Sequence, residues 1–275
     1  MLSARSVVAT LGAAALDIEA LALPRACLGC ERPMGPAERH EACCGLCRQR
    51  MRELAPPVCE RCGQPFDRWS LQLEASSSAR TRGRAVVGSD ERSGGDQNCG
   101  FCREWPRELR WAASAVWLED GPARSLVHAL KYGGWRIAAA PMAERILAAA
   151  GPELRQVDAL VPVPLGRTRR RERGHNQAEV LAEALGRLLD VPVLAQALRR
   201  ARETRSQTRL TPAQRWQNVA GAFAADAGDV AGRRVALVDD VLTTGATLGA
   251  AATALAQQGP VAIGAVTFAR ALVPA

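Results

Sequence analysis

Lysine is almost missing from this chain of 275 residues: Lys131 is the only one among 36 basic side chains, against 28 acidic ones. A codon preference in the source genome is the simplest account of most of the arginines. The resulting charge of +8 and pI near 9.4 favour anionic partners such as phosphorylated ligands, nucleic acid or membrane headgroups. Long apolar runs are also missing, which excludes a membrane-spanning helix. No convincing export signal is present. The stretch at 7–16 has the size of a signal-peptide core, but only Arg5 precedes it, and Asp17 and Glu19 follow at once. It reads as an amphipathic or capping helix over residues 1–24, ending near Pro24, and the protein reads as cytoplasmic. No internal repeat occurs beyond paired cysteines. What remains is globular in composition, 48% hydrophobic and 23% charged, and long enough for one large domain or two smaller ones.

Nine cysteines lie in the first 102 residues, and eight form C-x-x-C pairs: Cys27/Cys30, Cys44/Cys47, Cys59/Cys62 and Cys99/Cys102. Disulfides and metal both suit such pairs. Without an export signal the pattern favours Zn²⁺, two structural ions in all, because each pair offers two thiolates from a tight turn and two pairs close a tetrahedral site. His40 lies close enough to replace a cysteine, but eight paired cysteines already fill two sites. Cys43 is therefore the spare, although Cys44 stands beside it. Sequential and interleaved pairings both remain open on spacing. Residues 25–105 carry too few apolar side chains for a large core of their own, so zinc would supply the folding energy. Within them, residues 75–98 are polar, Gly/Ser-rich and charged, and read as a disordered insertion.

From about residue 106 to the end, strands alternate with helices, which predicts an α/β domain with a parallel, Rossmann-like sheet and ligand loops at the carboxyl ends of the strands. Strands are expected over 111–118, 157–164, 191–194, 233–240 and 261–269. Helices are expected over 123–132, 136–149, 176–189 and 247–258.

Three segments carry chemistry. In VALVDDVLTTGATL (235–248) an apolar strand ends in Asp239 and Asp240, and a turn of Thr243, Thr244, Gly245, Ala246 and Thr247 opens a helix. Free N–H groups at a helix N-terminus bind phosphate, while the acids can accept from hydroxyls. A ribose 5-phosphate offers both partners. In VPVPLGRTRRRERGHNQAE (161–179) a strand ends at Val163 and Pro164, and an arginine-rich loop follows, with Arg167, Arg169, Arg170, Arg171 and Arg173 suited to charge-assisted contacts with an anion. Residues 200–223, with Thr204, Gln207, Arg215 and Asn218, read as a lid over that site or as a basic loop that contacts nucleic acid. Trp105, Trp111, Trp117 and Trp135 suit either base stacking or core packing, the commoner role. His128 reads as a partly buried helix residue.

The strand–DD–TTGAT–helix order resembles the signature of phosphoribosyltransferases. Joined to the cysteine pairs, ALKY (129–132), PVPL, RGHNQ and the basic segment, it resembles the ComF family. That resemblance implies a small cysteine-rich double zinc ribbon followed by a phosphoribosyltransferase-type domain, with sequential zinc pairing. It implies a ligand such as phosphoribosyl pyrophosphate (PRPP) or another ribose phosphate, with Mg²⁺. Asp239 and Asp240 would hold the ribose hydroxyls, the Thr243–Thr247 turn the 5-phosphate, and Val163, Pro164, Arg169 and Arg173 the pyrophosphate, with Lys131, Asn176 and Gln177 nearby. Two functions follow from different classes. One is phosphoribosyl transfer to a nitrogen acceptor. The other is non-catalytic binding of nucleotide or single-stranded DNA, with DNA-uptake proteins as partners. His175 stands in RGHNQ where the family pattern has an aromatic, which argues against a general-base role for it.

Overall fold

The computed structural model describes residues 26–38, 41–66, 99–204, 211–226 and 229–271. The expected helix over 1–24, the insertion 75–98, His40 and Gln207 lie outside them.

In chain order the elements are α1 (Gly45–Arg50), β1 (Leu109–Trp117), α2 (Pro122–Tyr132), α3 (Ala139–Ala149), α4 (Pro152–Arg155), β2 (Ala159–Pro162), α5 (Arg167–Arg173), α6 (Gln177–Leu189), β3 (Leu198–Arg200), α7 (Pro212–Val219), β4 (Phe223–Ala225), β5 (Arg234–Leu242), α8 (Ala246–Ala256) and β6 (Ala262–Arg270). The main sheet is parallel, in the order β1-β6-β5-β2, as the alternation predicts.

Alternate residues of each strand face opposite layers. Ala236, Val238, Leu160, Val266 and Phe268 pack with α2, α3 and α6. Val235, Leu237, Ala159, Val161 and Ala265 pack with α8 and the β3–β4 segment. The cysteine-rich segment does not stand apart from these layers. Cys27, Cys43, Cys44, Cys47 and Met51 join the first core, and Cys59, Cys62, Cys102 and Trp105 join the second. Two of the tryptophans show what packing demands. A Cβ on Gly264 would lie 2.1 Å from the Trp111 ring, and one on Gly249 would lie 2.9 Å from the Trp216 ring.

Three sequence expectations are corrected. The arginine-rich segment is the helix α5, not a loop. Gly166 enters it in an extended conformation, and Gly174 closes it at φ 73° with its N–H on Arg170 O, a glycine stop. β5 runs beyond the two acids to Leu242, because Val241 and Leu242 still pair with Ala269 and Arg270 of β6. The strand expected at 191–194 is reduced to one bridge, Leu160 to Val193, held by Leu160 N–H on Pro192 O and Leu194 N–H on Leu160 O.

β2 and β5 are neighbours whose chains leave in opposite directions, β2 toward α6 on one face and β5 toward α8 on the other. A crevice must open between their carboxyl ends.

Candidate functional site

That crevice is a cavity of about 980 Å³. One wall is Val163, Pro164 and Leu165, which follow β2. The opposite wall is Asp239, Asp240, Val241, Thr243 and Thr247 of β5 and its turn. Helix α5 contributes Thr168, Arg169, Glu172 and Arg173, and α6 contributes Gln177. Arg169 and Arg173 are four residues apart and so share one helix face. Arg170 points elsewhere and reaches Glu179 at 3.5 Å. Lys131 and Tyr132 enter from the end of α2.

Of the expected residues, Asp239, Asp240, Thr243, Thr247, Val163, Pro164, Arg169, Arg173, Lys131 and Gln177 line this one cavity. Thr244, Gly245, Ala246 and Asn176 are not among the lining side chains. Asn176 caps α6, its Oδ1 accepting from Ala178 N–H at 3.2 Å, and its Nδ2 donates to Val163 O at 3.1 Å. It thereby holds the end of the β2 loop. In the turn, Gly245 has φ 82° and caps α8. Ala246 N–H donates to Thr244 Oγ1 at 3.4 Å. Among the described residues the Thr243 and Gly245 amides meet no protein acceptor.

The two acids differ. Lys131 Nζ lies 2.5 Å from Asp240 Oδ2. Burial pushes the Asp240 carboxyl up, but the Lys131 ammonium, the hydrogen bond with Asp239 and the Arg173 charge together outweigh it, so it titrates below its ordinary value. Burial and the neighbouring Asp240 charge push Asp239 well above its ordinary value. Asp239 Oδ1 also accepts from Asp240 N–H at 2.8 Å. The pair therefore offers one firm carboxylate and one that readily takes a proton.

Of the expected lid segment, Thr204 and Arg215 line the cavity, and so do Arg200, Glu203 and Tyr132, which sequence reasoning does not single out. Arg200 ends β3 and lies over the Phe223 ring at 5.0 Å. It donates to Pro164 O at 3.5 Å and to the Thr204 hydroxyl, and its Nε is buried with no partner among the described residues. Nothing in the run RRARETR separates Arg200 from Arg199, which pairs with Asp226 outside the cavity. Glu203 accepts from Arg167 N–H at the start of α5. Arg173 lies 4.8 Å over the Tyr132 ring and donates to Gln177 Oε1 at 2.9 Å. The wall thus mixes five basic and four acidic side chains, which suits a ligand with hydroxyl donors and anionic groups together rather than a plain polyanion.

His175 is a tie between elements, with ring nitrogens 2.9 Å from Arg173 O and 2.7 Å from Leu130 O. His128 is exposed and lies 4.8 Å from the Tyr132 ring. Trp105 and Trp117 are buried.

The cysteines form two clusters, Cys27/Cys30/Cys44/Cys47 and Cys59/Cys62/Cys99/Cys102, with all ligand atoms in each within 4.8 Å of one another. The pairing is sequential. A tetrahedron of Zn–S bonds spaces its sulfurs about 3.8 Å apart. The separations here are 4.0 Å for Cys30–Cys44, 3.9 Å for Cys59–Cys102, 3.7 Å for Cys99–Cys102 and 3.4 Å for Cys62–Cys99. Both clusters therefore fit Zn²⁺. A hydrogen bond from Arg32 lowers the Cys44 thiol to about 6. Cys43 is the spare: it is fully buried outside the cluster, and burial raises its thiol to about 11.

Among the described residues no helix is long and apolar enough to cross a membrane. A family model described as a double zinc ribbon domain matches residues 18–79, and one described as a phosphoribosyl transferase domain matches residues 175–273. Competence protein F of Haemophilus influenzae is 44% identical over 98 residues, 35% of this chain and 43% of that protein. Competence protein ComFC of Bacillus subtilis is 37% identical over 103 residues, 38% of this chain and 40% of that protein. The chain thus spans less than half the length of these two relatives. The DNA utilization protein YhgH of Salmonella typhimurium is 29% identical over 244 residues, 87% of this chain and 94% of that protein. Among solved structures, a purine phosphoribosyltransferase from Pyrococcus horikoshii shares 20% identity at a TM-score of 0.31, covering 47% of this chain and 72% of that one.

Proposed function

From the premise that this chain is ComF-like, a double zinc ribbon joined to a phosphoribosyltransferase domain, we propose that its cavity binds PRPP or a related ribose phosphate with Mg²⁺ and transfers the phosphoribosyl group to a nitrogen acceptor. The observation that carries this is the meeting, across one cavity, of Asp239 and Asp240 with the Thr243–Thr247 turn and the arginines Arg169, Arg173 and Arg200.

In this reading the turn amides and threonine hydroxyls hold the 5-phosphate at the start of α8. Asp240, kept ionised by Lys131, accepts from a ribose hydroxyl, and Asp239 shares the second. Arg169 and Arg173, with the backbone of Val163 and Pro164, face the pyrophosphate. The C1–O bond breaks with its electron pair going to pyrophosphate. The C1–N bond forms from the acceptor's lone pair, and the nitrogen then sheds a proton. Preorganised charge, rather than a covalent nucleophile, lowers the barrier. Asp239 and Asp240 are the side chains that would hold Mg²⁺, which would supply further charge neutralisation on the departing pyrophosphate.

We read the setting as DNA uptake or use, following the names of the relatives, and the compartment as cytoplasmic, since the zinc thiolates need reducing conditions. A second reading, non-catalytic binding of single-stranded DNA, draws on the exposed aromatics Tyr132 and Trp135, 62% and 54% accessible, beside arginines.

Calorimetry with PRPP and Mg²⁺ should show saturable binding that the double variant Asp239→Asn/Asp240→Asn abolishes, and pyrophosphate should appear when the right nitrogen base is added. Absence of binding at millimolar PRPP overturns the proposal. Binding to single-stranded DNA that falls steeply with salt and survives the double variant favours the second reading.

A further inference from the structure

The second cysteine cluster is tied to the turn of the candidate site by side chains that ligand binding itself does not use. Trp105 follows Cys102 by three residues and donates its backbone N–H to Cys102 O at 3.1 Å. Its indole Nε1 donates to Thr244 O at 3.0 Å. The same ring covers Gly245, where a Cβ would lie 2.4 Å from it. Arg61, between Cys59 and Cys62, donates to the carbonyls of Cys102, Trp105 and Pro106 at 3.2, 3.2 and 2.9 Å. Cluster, tryptophan and turn therefore form one continuous path.

Arg270 completes it from the sheet. It is fully buried, ends β6, and its Cα pairs with that of Leu242, the last residue of β5 before the turn. Its Nη1 donates to Cys62 O at 2.8 Å, and its guanidinium lies 4.3 Å over the Phe101 ring. Among the described residues its Nε and Nη2 meet no acceptor. A buried guanidinium with two unpartnered nitrogens is costly unless an opposite charge lies close. Four thiolates around Zn²⁺ carry a net charge of about −2, and the cysteines beside Arg270 are those of the second cluster.

Among the described residues the first cluster makes no side-chain hydrogen bond to that turn. It packs near the start of α2, with Gly29 against Pro122. Lys131, nine residues further along that helix, is about 13 Å away on the helix rise.

We propose that the metal-loaded second cluster positions the phosphate turn, with Trp105 as the positioning residue and Arg270 as the buried countercharge of the tetrathiolate. This rests on the ribose-phosphate reading only for its consequence in binding; the mechanical tie stands without it.

The test uses the full-length, zinc-loaded protein and Trp105→Phe, which keeps the ring and removes the indole donor. Zinc is counted by elemental analysis. Hydrogen–deuterium exchange is read on peptides spanning 243–249, and PRPP with Mg²⁺ is titrated. Trp105→Phe should keep about two zinc, exchange the turn several-fold faster, and bind PRPP about 3- to 10-fold more weakly, the range for one lost hydrogen bond. Cys99→Ser should speed exchange at the same peptides, and Cys30→Ser should not. If either cysteine variant fails to fold, Trp105→Phe alone decides the matter. Unchanged turn exchange and unchanged PRPP affinity in Trp105→Phe overturn the inference. Faster turn exchange in a protein whose wild type binds no PRPP supports the tie and overturns the ribose-phosphate reading instead.

Discussion

The two cysteine clusters are alike in ligand set and knuckle spacing, yet they lie in opposite layers of the same sheet and touch different things. The first packs with α2, α3 and α6 and is anchored at its rim by Arg145, which reaches Arg48 O and Glu53. The second packs with α8 and, through Trp105, against the turn that opens α8. A metal knuckle stabilises whatever it is packed on. Here one cluster packs on a helix layer and the other, through Trp105, on the turn beside the candidate cavity.

Stripping both metals should have the largest effect. Structural zinc in such sites contributes about 10–16 kcal/mol, as much as the whole stability of an ordinary domain. Chelation should release about two zinc per chain and remove the cooperative thermal transition. A protein that keeps its transition with no zinc would break the comparison at its root. Next comes Asp240→Asn, which leaves the Lys131 ammonium without the carboxylate that holds it. A loss of about 3 kcal/mol is expected in denaturant unfolding, and a change near zero would show that Lys131 reaches solvent instead. Gly245→Ala should cost about 2 kcal/mol, because its φ of 82° and the Trp105 ring both oppose a Cβ. An equivalent change at Gly29, against Cys47 and Pro122, should disturb the first ribbon and leave PRPP affinity alone.

Asp239→Asn should act with the opposite sign. The folded protein raises this carboxyl above its unfolded value near 3.8, so its contribution is fully present below that pH and is lost as pH rises through the raised value. The asparagine variant should therefore be more stable than wild type at neutral pH by about 1 kcal/mol, or roughly 2–4 °C in Tm for a chain of this size, while binding PRPP poorly. For Asp240, whose folded value is lowered, the contribution is present above 3.8 and is lost as pH falls. Equal pH slopes in the two asparagine variants would contradict the asymmetry of the pair. A comparably small effect is expected for Cys43→Ala, a loss of about 1 kcal/mol from a small buried void, with zinc still near two per chain.

Much of the candidate site is legible in the sequence. Asp239, Asp240 and the threonine turn follow one another closely in the chain, and Val163 and Pro164 are adjacent. The local order strand, acid, turn, helix is written in apolar period and glycine placement. Arg200, Glu203 and Tyr132 are not legible as site residues, since their side chains reach the cavity only once separate elements pack together. The helical state of residues 167–173 is also hidden. Arginine is a good helix former, and the glycines Gly166 and Gly174 mark the bounds, but a run of like charge reads equally well as a solvated loop.

Local chemistry, then, is settled by the chain itself: which cysteines pair at C-x-x-C spacing, where two acids and a threonine–glycine turn meet a helix start, and that strands alternate with helices into a parallel sheet. Those features depend on residues a few positions apart, whose geometry the backbone enforces. The packed sheet decides the rest. It sets the divergence of β2 and β5 that opens the cavity, the Lys131–Asp240 pair across 109 positions, and the meeting of Trp105 with Thr244 across 139. Contacts of that separation arise only when burial of both sheet faces brings distant segments into one layer, and no periodicity in a linear sequence encodes which of many tryptophans or arginines will arrive there.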